Sequence, residues 1–424
     1  MKKKKIKNPL LKRIPRELLG DWKKYFVVSL FLILTIGFVS GMYVANGSMM
    51  KAADESVTKY KLEDGHFELE SQADDKLLTA IQSGEKADVQ KYYLDEAKKE
   101  LDEEFEPYQE AYDEAYPEAY DEAWEEIQEE IDEEYAEAEE KYELNDPDFQ
   151  PVPVKVYENF YRNEEEDNDN DGNVDGTIRV YAKTEDVNMA CLMEGKFPES
   201  EDEIAIDRMH ADNAGIGVGD TITVSGQTYQ VVGLIAYVNY STLHEKSTDL
   251  IFDALKFDVA MVTESGFERL NNTLHYAYAW QYETQPTDDK EEKSLSDDFM
   301  KALLTQTVVE ENEIEDYMPR YANPAINFAT EDMGSDEAMG GVLLDILIVI
   351  IAFIFAVTIS NTIAKEASAI GTLRASGYTK GELIRHYLSM PVIVTILAAT
   401  IGNSVCAAVC SADISSDQNY HREE

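Results

Sequence analysis

Two long uncharged stretches, separated by a short polar one, constrain this chain more than any other feature. Ile346 to Ala364 carries no charge over nineteen positions, and Tyr387 to Ala412 carries none over twenty-six. A helix rises about 1.5 Å per residue, so each stretch is long enough to cross a hydrocarbon core about 30 Å thick. The sequence therefore predicts two membrane-spanning helices, 342–364 and 387–410, joined by residues 365–386.

The joining segment is patterned in a way that a passive turn is not. Ile370, Leu373 and Gly377 are three and four positions apart, so they are predicted to share one face of a short helix lying against the membrane. A helix held between two spanning helices can pass a push from a cytoplasmic partner into the bilayer. The alternative is an ordinary amphipathic linker that uses its glycines for close packing.

The same segment resembles a known family. Glu366 followed by Ile370-Gly371-Thr372-Leu373-Arg374-Ala375-Ser376-Gly377 is similar to the E…IGxLRAxG signature of FtsX-like permeases, the MacB-type group of ABC transporter subunits. Pro391, early in the next helix, fits the same pattern. The resemblance implies that this loop is a coupling helix that contacts a cytoplasmic ABC ATPase subunit, and that a second permease copy or a partner permease completes the assembly. The implied ATPase-coupling residues are Glu366, Ile370, Gly371, Leu373, Arg374 and Gly377.

A third spanning helix is predicted at residues 25–46. Residues 1–24 hold ten Lys/Arg against two Asp/Glu, and an uncharged run from Tyr25 to Met50 follows them. A cleaved signal peptide is the alternative, but the run exceeds a signal core of roughly 7–15 residues and no clean cleavage site follows it. Because positive charge stays in the cytoplasm, the N-terminus and residues 365–386 are predicted inside the cell, with residues 47–341 outside.

The net charge of the chain limits the classes of partner that it can bind. The chain has 37 Lys plus Arg against 85 Asp plus Glu, a net charge of −48, and residues 25–344 account for −54 of it. Phosphate binding needs clustered cations, so nucleic acid is excluded as a partner. The lipid bilayer is the expected partner of the basic segment 1–24, whose amphipathic part is predicted to lie along the inner leaflet.

The extracytoplasmic domain, 47–341, is predicted to open with a helix that continues from the membrane, Gly47 to Tyr60, and to carry an acidic helical arm at residues 94–143. Apolar residues there recur every three and four positions, with glutamates on the other faces. Pro107 and Pro117 should kink or divide the helix, which leaves a hairpin as one form of the arm. The arm either docks a partner or captures substrate, or it is an acidic insertion without such a role.

A β-rich core is predicted at residues 177–262. Strands at Ile178–Ala182, Glu203–Ile206 and Phe257–Val262, a helix at Arg208–Ala214 and a hairpin turning at Gly226 follow from alternation and turn residues. Met193–Pro198 is predicted as a turn, and a later helix is predicted near Phe299. The progression GxxP…EIxI…GxxxGDxI…YxVVG resembles the extracytoplasmic core domain of MacB-like permeases.

Residues 163–176 suggest one metal site. Asp167, Asp169, Asp171 and Asp175 match positions 1, 3, 5 and 9 of a calcium loop, with Gly172 at the sharp turn. Ile178 stands where such a loop needs a bidentate Glu. An acidic surface turn explains the string equally well, so calcium and a solvated turn stay open as alternatives.

The sequence contains no motif that indicates catalytic activity. The six histidines form no HExxH or other metal spacing, and the three cysteines are too few for a disulfide framework. No Walker A motif exists, because Gly195-Lys196 is followed by Phe197 and not by Ser or Thr. We therefore expect no enzyme activity and no cofactor of the chain's own, with ATP bound by the partner subunit.

The sequence thus predicts an α+β membrane protein with three transmembrane helices and a large extracytoplasmic α+β domain, a MacB-like core that carries an acidic helical insertion. The expected function is a permease subunit, or the N-terminal part of one, that couples a separate ATPase to export or release of a peptide, lipid or lipoprotein. The alternative is a membrane-anchored extracellular binding or signalling protein without a motor. Because the family normally has a fourth span, the polar tail at 411–424 suggests a truncated form.

Overall fold

The computed structural model describes residues 13–20, 22–108, 116–246 and 248–420, and the chain divides into two compact units. We call Met1–Ala53 with Thr330–Glu424 the helical unit, and Asp54–Ala329 the sheet unit. The helices, in chain order, are α1 (Ile14–Gly20), α2 (Trp22–Lys59), α3 (Asp75–Ser83), α4 (Val89–Phe105), α5 (Tyr116–Lys141), α6 (Arg208–Ala214), α7 (Glu264–Glu268), α8 (Asp289–Val309), α9 (Pro324–Lys365), α10 (Ala367–Ala375) and α11 (Lys380–Tyr420).

Three helices among the described residues are long and apolar enough to cross a membrane. They are α2, α9 and the Lys380–Ala408 part of α11. Helices α2 and α9 contain the predicted spans 25–46 and 342–364, and the third stretch covers the predicted span 387–410 as far as residue 408. Their lipid-facing character shows in side chains that are exposed although large and apolar, such as Phe26, Phe353 and Ile396. In water such a surface would aggregate, so the exposed apolar faces indicate a bilayer.

Inside the helical unit, α2 and α11 pack closely through small residues. A Cβ at Gly402 would lie 3.0 Å from the carbonyl oxygen of Ile33 and 3.3 Å from the backbone nitrogen of Gly37. One turn further, Ser40 Oγ donates to Asn403 Oδ1 at 2.8 Å. Membrane helices associate through such small-residue contacts and interhelical hydrogen bonds, because lipid provides no hydrophobic drive. Buried around them are Tyr25, Leu32, Met390, Val394 and Ala398, with Ile351 and Phe355 of α9 packed against this cluster.

The sheet unit contains eleven strands among its described residues. They are β1 (Gly65–Leu69), β2 (Val154–Glu158), β3 (Tyr161–Asp167), β4 (Gly176–Ala182), β5 (Ala190–Gly195), β6 (Glu203–Asp207), β7 (Thr221–Val224), β8 (Gln227–Tyr237), β9 (Phe257–Val262), β10 (Leu274–Tyr282) and β11 (Ile314–Pro319). They hydrogen-bond in the order β11-β1-β10-β3-β4-β9-β6-β8-β5, with β2 also on β10 and β7 on β3 and β8. Among the described strands, only the pairs β4–β9 and β6–β8 are parallel.

Two buried clusters hold the two ends of this sheet. At the β1–β10 end, Phe67, Trp280 and Phe299 are fully buried, and α3 and α8 cover them. At the β4–β8 end, Ile178, Ile206 and Val231 pack with Ala211 of α6. Fully burying one such side chain contributes about 1.5–3 kcal/mol, so these clusters fix the register of the strands that supply them.

The predicted acidic arm, 94–143, forms two antiparallel helices. Gln90 of α4 donates to Asp132 of α5 at 2.7 Å, and Tyr120 donates to Asp102 at 2.5 Å near the other end of the pair. Pro107 lies in a 3₁₀ turn, Glu106–Tyr108, and Pro117 is the second residue of α5, so both prolines bound helices as their missing N–H requires. Residues 109–115 of the predicted arm lie outside the described residues. Whether the pair is an insertion stays a prediction.

Several local predictions are confirmed and others are wrong. The helix at Arg208–Ala214 and the strand at Phe257–Val262 have the predicted bounds. Met193–Pro198 is not simply a turn, because β5 continues to Gly195 and crosses a register shift between Leu192 and Glu194. The helix predicted near Phe299 begins at Asp289, where Asp288 caps it.

One acidic stretch differs from expectation. Residues 163–167 are not a surface turn: they belong to β3, and Glu164 and Glu166 are buried. The segment predicted as a polar tail, 411–424, has a helical backbone as far as Tyr420, where α11 ends.

Candidate functional site

The predicted coupling segment is a short helix, α10, separated from α9 by one residue. Glu366 is that residue, and its backbone (φ −99°, ψ 14°) leaves the helical region only slightly. Its N–H donates to Thr362 of α9 and its carbonyl accepts from Ile370 of α10, so the hydrogen-bond ladder continues across the junction. The orientation of α10 is therefore coupled to that of α9.

The side chain of Glu366 points inward and binds two other elements. Its Oε2 accepts a hydrogen bond from the phenol of Tyr387 on α11 at 2.6 Å. The same oxygen forms an ion pair with the Arg13 guanidinium at 3.0 Å. Hydrogen bonds that involve a charged group are among the stronger ones, so this carboxylate ties the start of α10 to α11 and to the residue before α1.

The other end of α10 is closed by paired capping motifs. Gly377 has φ +98°, the N–H of Gly377 donates to Arg374, and that of Tyr378 donates to Leu373, which is the Schellman pattern. Two residues later, Thr379 and Glu382 form a capping box that begins α11. Gly377 therefore ends the helix and does not continue the face of Ile370 and Leu373, which corrects the prediction.

The remaining predicted coupling residues divide between two sides of α10. Ile370 and Leu373 are half-buried, whereas Gly371 and Arg374 are exposed. A Cβ at Gly371 would meet no atom within 4 Å. Among the described residues, no hydrogen bond or ion pair involves the Arg374 side chain. The side with Gly371 and Arg374 is thus the part of α10 that can contact another protein.

The predicted calcium loop connects β3 to β4. Carboxylate oxygens of Asp167, Asp169 and Asp175 lie within 4.8 Å of one another. Asp171 is not in that group, since its Oδ1 accepts from the backbone and side-chain amides of Asn173. Ile178, at the position of the missing bidentate ligand, is fully buried in the core. Calcium binding here stays a prediction.

A polar cavity of about 280 Å³ in the sheet unit was not anticipated from the sequence. Arg179 is one of the residues that line it. Its guanidinium donates to Asn163, to Tyr240 and to the carbonyl of Glu245, and lies over the ring of Tyr161. No single motif marks these residues, because they come from β3, β4 and the loop after β8.

Acidic groups with histidine partners line the same cavity. Burial by itself would lower the pKa of His66, but the charge of Glu63 and its 2.6 Å hydrogen bond raise that pKa above the ordinary value. Burial would raise the pKa of Glu68, yet hydrogen bonds from His275 and Tyr161 lower it. The cavity is therefore a mixed-charge pocket suited to a polar group.

These features define a class: a membrane protein whose last two described spans are joined by a short, partly exposed helix, as in the membrane subunits of transporters. Residues 341–411 match the family model described as FtsX-like permease C-terminal. This match to the FtsX-like permease model agrees with the resemblance inferred from Glu366 to Gly377. Subunits of this family are the membrane part of their transporters, and ATP hydrolysis generally resides in a separate subunit.

Other comparisons are sparser. No curated protein matches the sequence. Among solved structures, the chain is similar to "the extracellular domain of noncanonic ABC-type transporter YknZ from Gram-positive bacteria", with 13% identity, 42% of this chain and 88% of that chain covered, and a TM-score of 0.24. The MacB-like character of the β-rich core stays a prediction.

Proposed function

We propose that this chain is the permease subunit of an ABC transporter and that the exposed side of α10 receives the motion of a separate cytoplasmic ATPase. The observation that carries the proposal is the anchoring of Glu366 to Tyr387 and Arg13, in a segment that matches the FtsX-like permease family. Because both ends of α10 are fixed, a push on Gly371 and Arg374 moves α9 and α11 and is not absorbed by a loose turn.

The proposed cycle has three steps. Closure of the ATPase on ATP presses the exposed side of α10, α9 and α11 shift in the bilayer, and the sheet unit changes shape to move or release a peptide, lipid or lipoprotein. A second permease copy, or a partner permease, supplies the other half of the pathway. The basic segment before α2 keeps the N-terminus and α10 in the cytoplasm, where the ATPase is.

Arg374→Glu tests the contact. Because Arg374 is exposed and unpaired among the described residues, the change should leave the fold intact and weaken only the contact with a partner. The full chain, tagged and solubilised from its native membranes, should bring the ATPase with it, and Arg374→Glu should reduce the recovered ATPase about tenfold, or about 1.4 kcal/mol. Lys290→Glu, an equally exposed charge reversal on α8, serves as the matched control and should recover ATPase like the wild type.

Gly371→Trp tests the same surface by volume instead of charge. No atom lies within 4 Å of the added Cβ and Gly371 is exposed, so the indole can extend away from the chain into the space that a docked ATPase would occupy. Undiminished ATPase recovery with both variants would contradict the proposal. If the wild type itself brings down no ATPase, the motor-free extracellular binding protein becomes the better description.

A further inference from the structure

Three side chains able to bind metals meet in the interior of the sheet unit, although the sequence shows no spacing that pairs them. Glu166 lies on β3, His210 on α6 and Asp258 on β9. Each residue is 0% exposed. One candidate ligand atom of each lies within 4.8 Å of the other two. Burying two carboxylates and an imidazole together is costly unless a cation or protons compensate their charge.

The orientation of His210 is that of a metal ligand. Its Nδ1 lies 2.8 Å from the carbonyl oxygen of Ala254, and because a carbonyl only accepts, Nδ1 carries the proton. Nε2 then faces Glu166 Oε1 at 3.3 Å and Asn168 Oδ1 at 3.2 Å, two oxygens that also only accept. A nitrogen between such oxygens needs a cation or a second proton. Metal-binding histidines commonly donate their other N–H to a backbone carbonyl in this way.

The two carboxylates are held but not satisfied. Asp258 Oδ1 accepts from the backbone N–H groups of Val259 at 2.7 Å and of Asp207 at 3.2 Å, which orients the group. Among the described residues, its Oδ2 and both carboxylate oxygens of Glu166 are buried without a hydrogen-bond partner. Buried polar atoms without partners are rare in folded proteins, and an ion is one of the few explanations.

The distances suit a small, tetrahedral ion. Zinc binds nitrogen and oxygen at about 2.0–2.2 Å, which places neighbouring ligands of a tetrahedron about 3.4 Å apart. The contacts of His210 Nε2 with Glu166 and Asn168, at 3.3 and 3.2 Å, already have that spacing. Calcium requires six to eight oxygens, more than this cluster offers.

We propose that Glu166, His210 and Asp258, with Asn168 as the fourth donor, form a structural site for a divalent transition-metal ion of the zinc type. The ion would join β3, α6 and β9, the three elements that carry its proposed ligands. A fully buried site must be filled as the unit folds, so metal binding would contribute to folding. The site is distinct from the neighbouring loop of Asp167, Asp169 and Asp175.

The first test is metal content. The full chain, purified in detergent from cells grown with zinc and without chelator, should contain about one zinc per chain by elemental analysis. Cobalt substituted for zinc should show the visible absorption of tetrahedral Co²⁺. Asp258→Asn keeps the size of the side chain and its Oδ1 acceptor but removes the charge, and it should lower the zinc content about tenfold or more. His275→Gln alters a different histidine–carboxylate pair in the same unit and should keep the zinc.

A second measurement separates a metal site from a buried ion pair. Prolonged incubation with EDTA should lower the thermal midpoint of the wild type and leave Asp258→Asn unchanged, because only the wild type has metal to lose. If the cluster holds only protons, EDTA changes neither protein, and Asp258→Asn is neutral or stabilising. That result, or zinc that persists in both Asp258→Asn and Glu166→Gln, would overturn the proposal.

Discussion

Tyr387 of α11 donates its phenol hydrogen to Glu366, 2.6 Å away, and the same carboxylate oxygen pairs with Arg13 at 3.0 Å. The acidic residue that begins the family signature is therefore engaged within its own chain. Its carboxylate does not lie on the exposed side of α10, so its proposed part in coupling is to fix the helix and not to touch the ATPase.

Removing these contacts should destabilise the helical unit in proportion to the number lost. Hydrogen bonds to charged groups contribute about 1.5–3 kcal/mol, so Tyr387→Phe should cost about that much and Glu366→Gln more, since it also weakens the pair with Arg13. The thermal midpoint of the detergent-solubilised chain measures both. Tyr378→Phe is the control, because the Tyr378 phenol has no hydrogen bond among the described residues. Equal losses for Tyr378→Phe and Tyr387→Phe would contradict this role of Glu366.

The location of this site could be predicted from the sequence, but its geometry could not. The spacing of Ile370, Leu373 and Gly377 predicts a short helix, and a short helix is present. The inward direction of Glu366 depends on Arg13, which is 353 positions earlier, and on packing between spanning helices. Periodicity contains no information about contacts at that separation. Gly377 was misassigned because a glycine after a helix can continue a face or end it, and only its positive φ decides.

The sheet unit shows the same division between local and distant information. The bounds of α6 and β9 follow from local alternation and capping, since Asp207 caps α6 through the N–H of Met209. The sequence predicts that Glu164 and Glu166 are exposed to solvent, because residues in acidic runs usually are. They are buried in β3, which pairs with β4 and with β7. His210, 44 positions later in the chain, lies against Glu166.

Close packing of α2 on α11 should be sensitive to side-chain volume at Gly402. Gly402→Leu adds a Cβ that would lie only 3.0 Å from the carbonyl oxygen of Ile33, and the rest of the leucine side chain needs more space still. The two helices must therefore separate. In a chain without its native cysteines, a Ser40→Cys/Asn403→Cys pair should form a disulfide, because Ser40 and Asn403 are hydrogen-bonded. Adding Gly402→Leu should reduce cross-linking about fivefold or more, corresponding to about 1 kcal/mol.

Gly47→Leu provides the control for that experiment. Gly47 lies on α2, the helix that carries Ser40, and a Cβ at Gly47 would meet nothing within 4 Å. It should leave the cross-link unchanged. Efficient cross-linking in the Gly402→Leu chain would mean that α2 and α11 are not in contact at this level.

The His66–Glu63 pair should make part of the stability of the sheet unit depend on pH. Glu63 raises the pKa of His66 above its ordinary 6.5, with a contribution from Asp316 and an opposing one from Arg179. The folded state therefore binds the proton more tightly than the unfolded state. The stabilisation is complete below about pH 6.5 and is lost as the pH rises through the folded pKa. The free-energy difference between the wild type and His66→Gln should shrink over that range.

The source of this dependence can be tested in a second background. In a Glu63→Gln chain the charge that raises the pKa of His66 is absent and burial lowers that pKa, so His66→Gln should produce a difference that no longer varies between about pH 7 and 9. Urea unfolding followed by tryptophan fluorescence measures it, since Trp280 is buried in the same unit. A pH dependence that persists in the Glu63→Gln chain would assign the titration to another group.

Adding a methyl group at Gly65 of β1 should destabilise the sheet unit. It pairs with Trp280 of β10, and a Cβ would lie 2.3 Å from two atoms of the indole and 2.8 Å from the Met318 carbonyl oxygen. The indole has no room to move, because Tyr317 and Phe299 lie with ring centroids 5.0 Å away. Overpacking of a buried site costs about 1–3 kcal/mol or more, so Gly65→Ala should lower the urea midpoint clearly.

Two further chains show whether the steric contact is the cause. Gly217→Ala is the control, because its Cβ would have an ordinary contact at 3.6 Å, and it should change the urea midpoint by much less. In a Trp280→Phe chain the smaller ring frees the space that the methyl group needs, so adding Gly65→Ala there should cost less than it does in the wild type. If Gly65→Ala costs the same in both backgrounds, the pairing of Gly65 with Trp280 is not what limits this position.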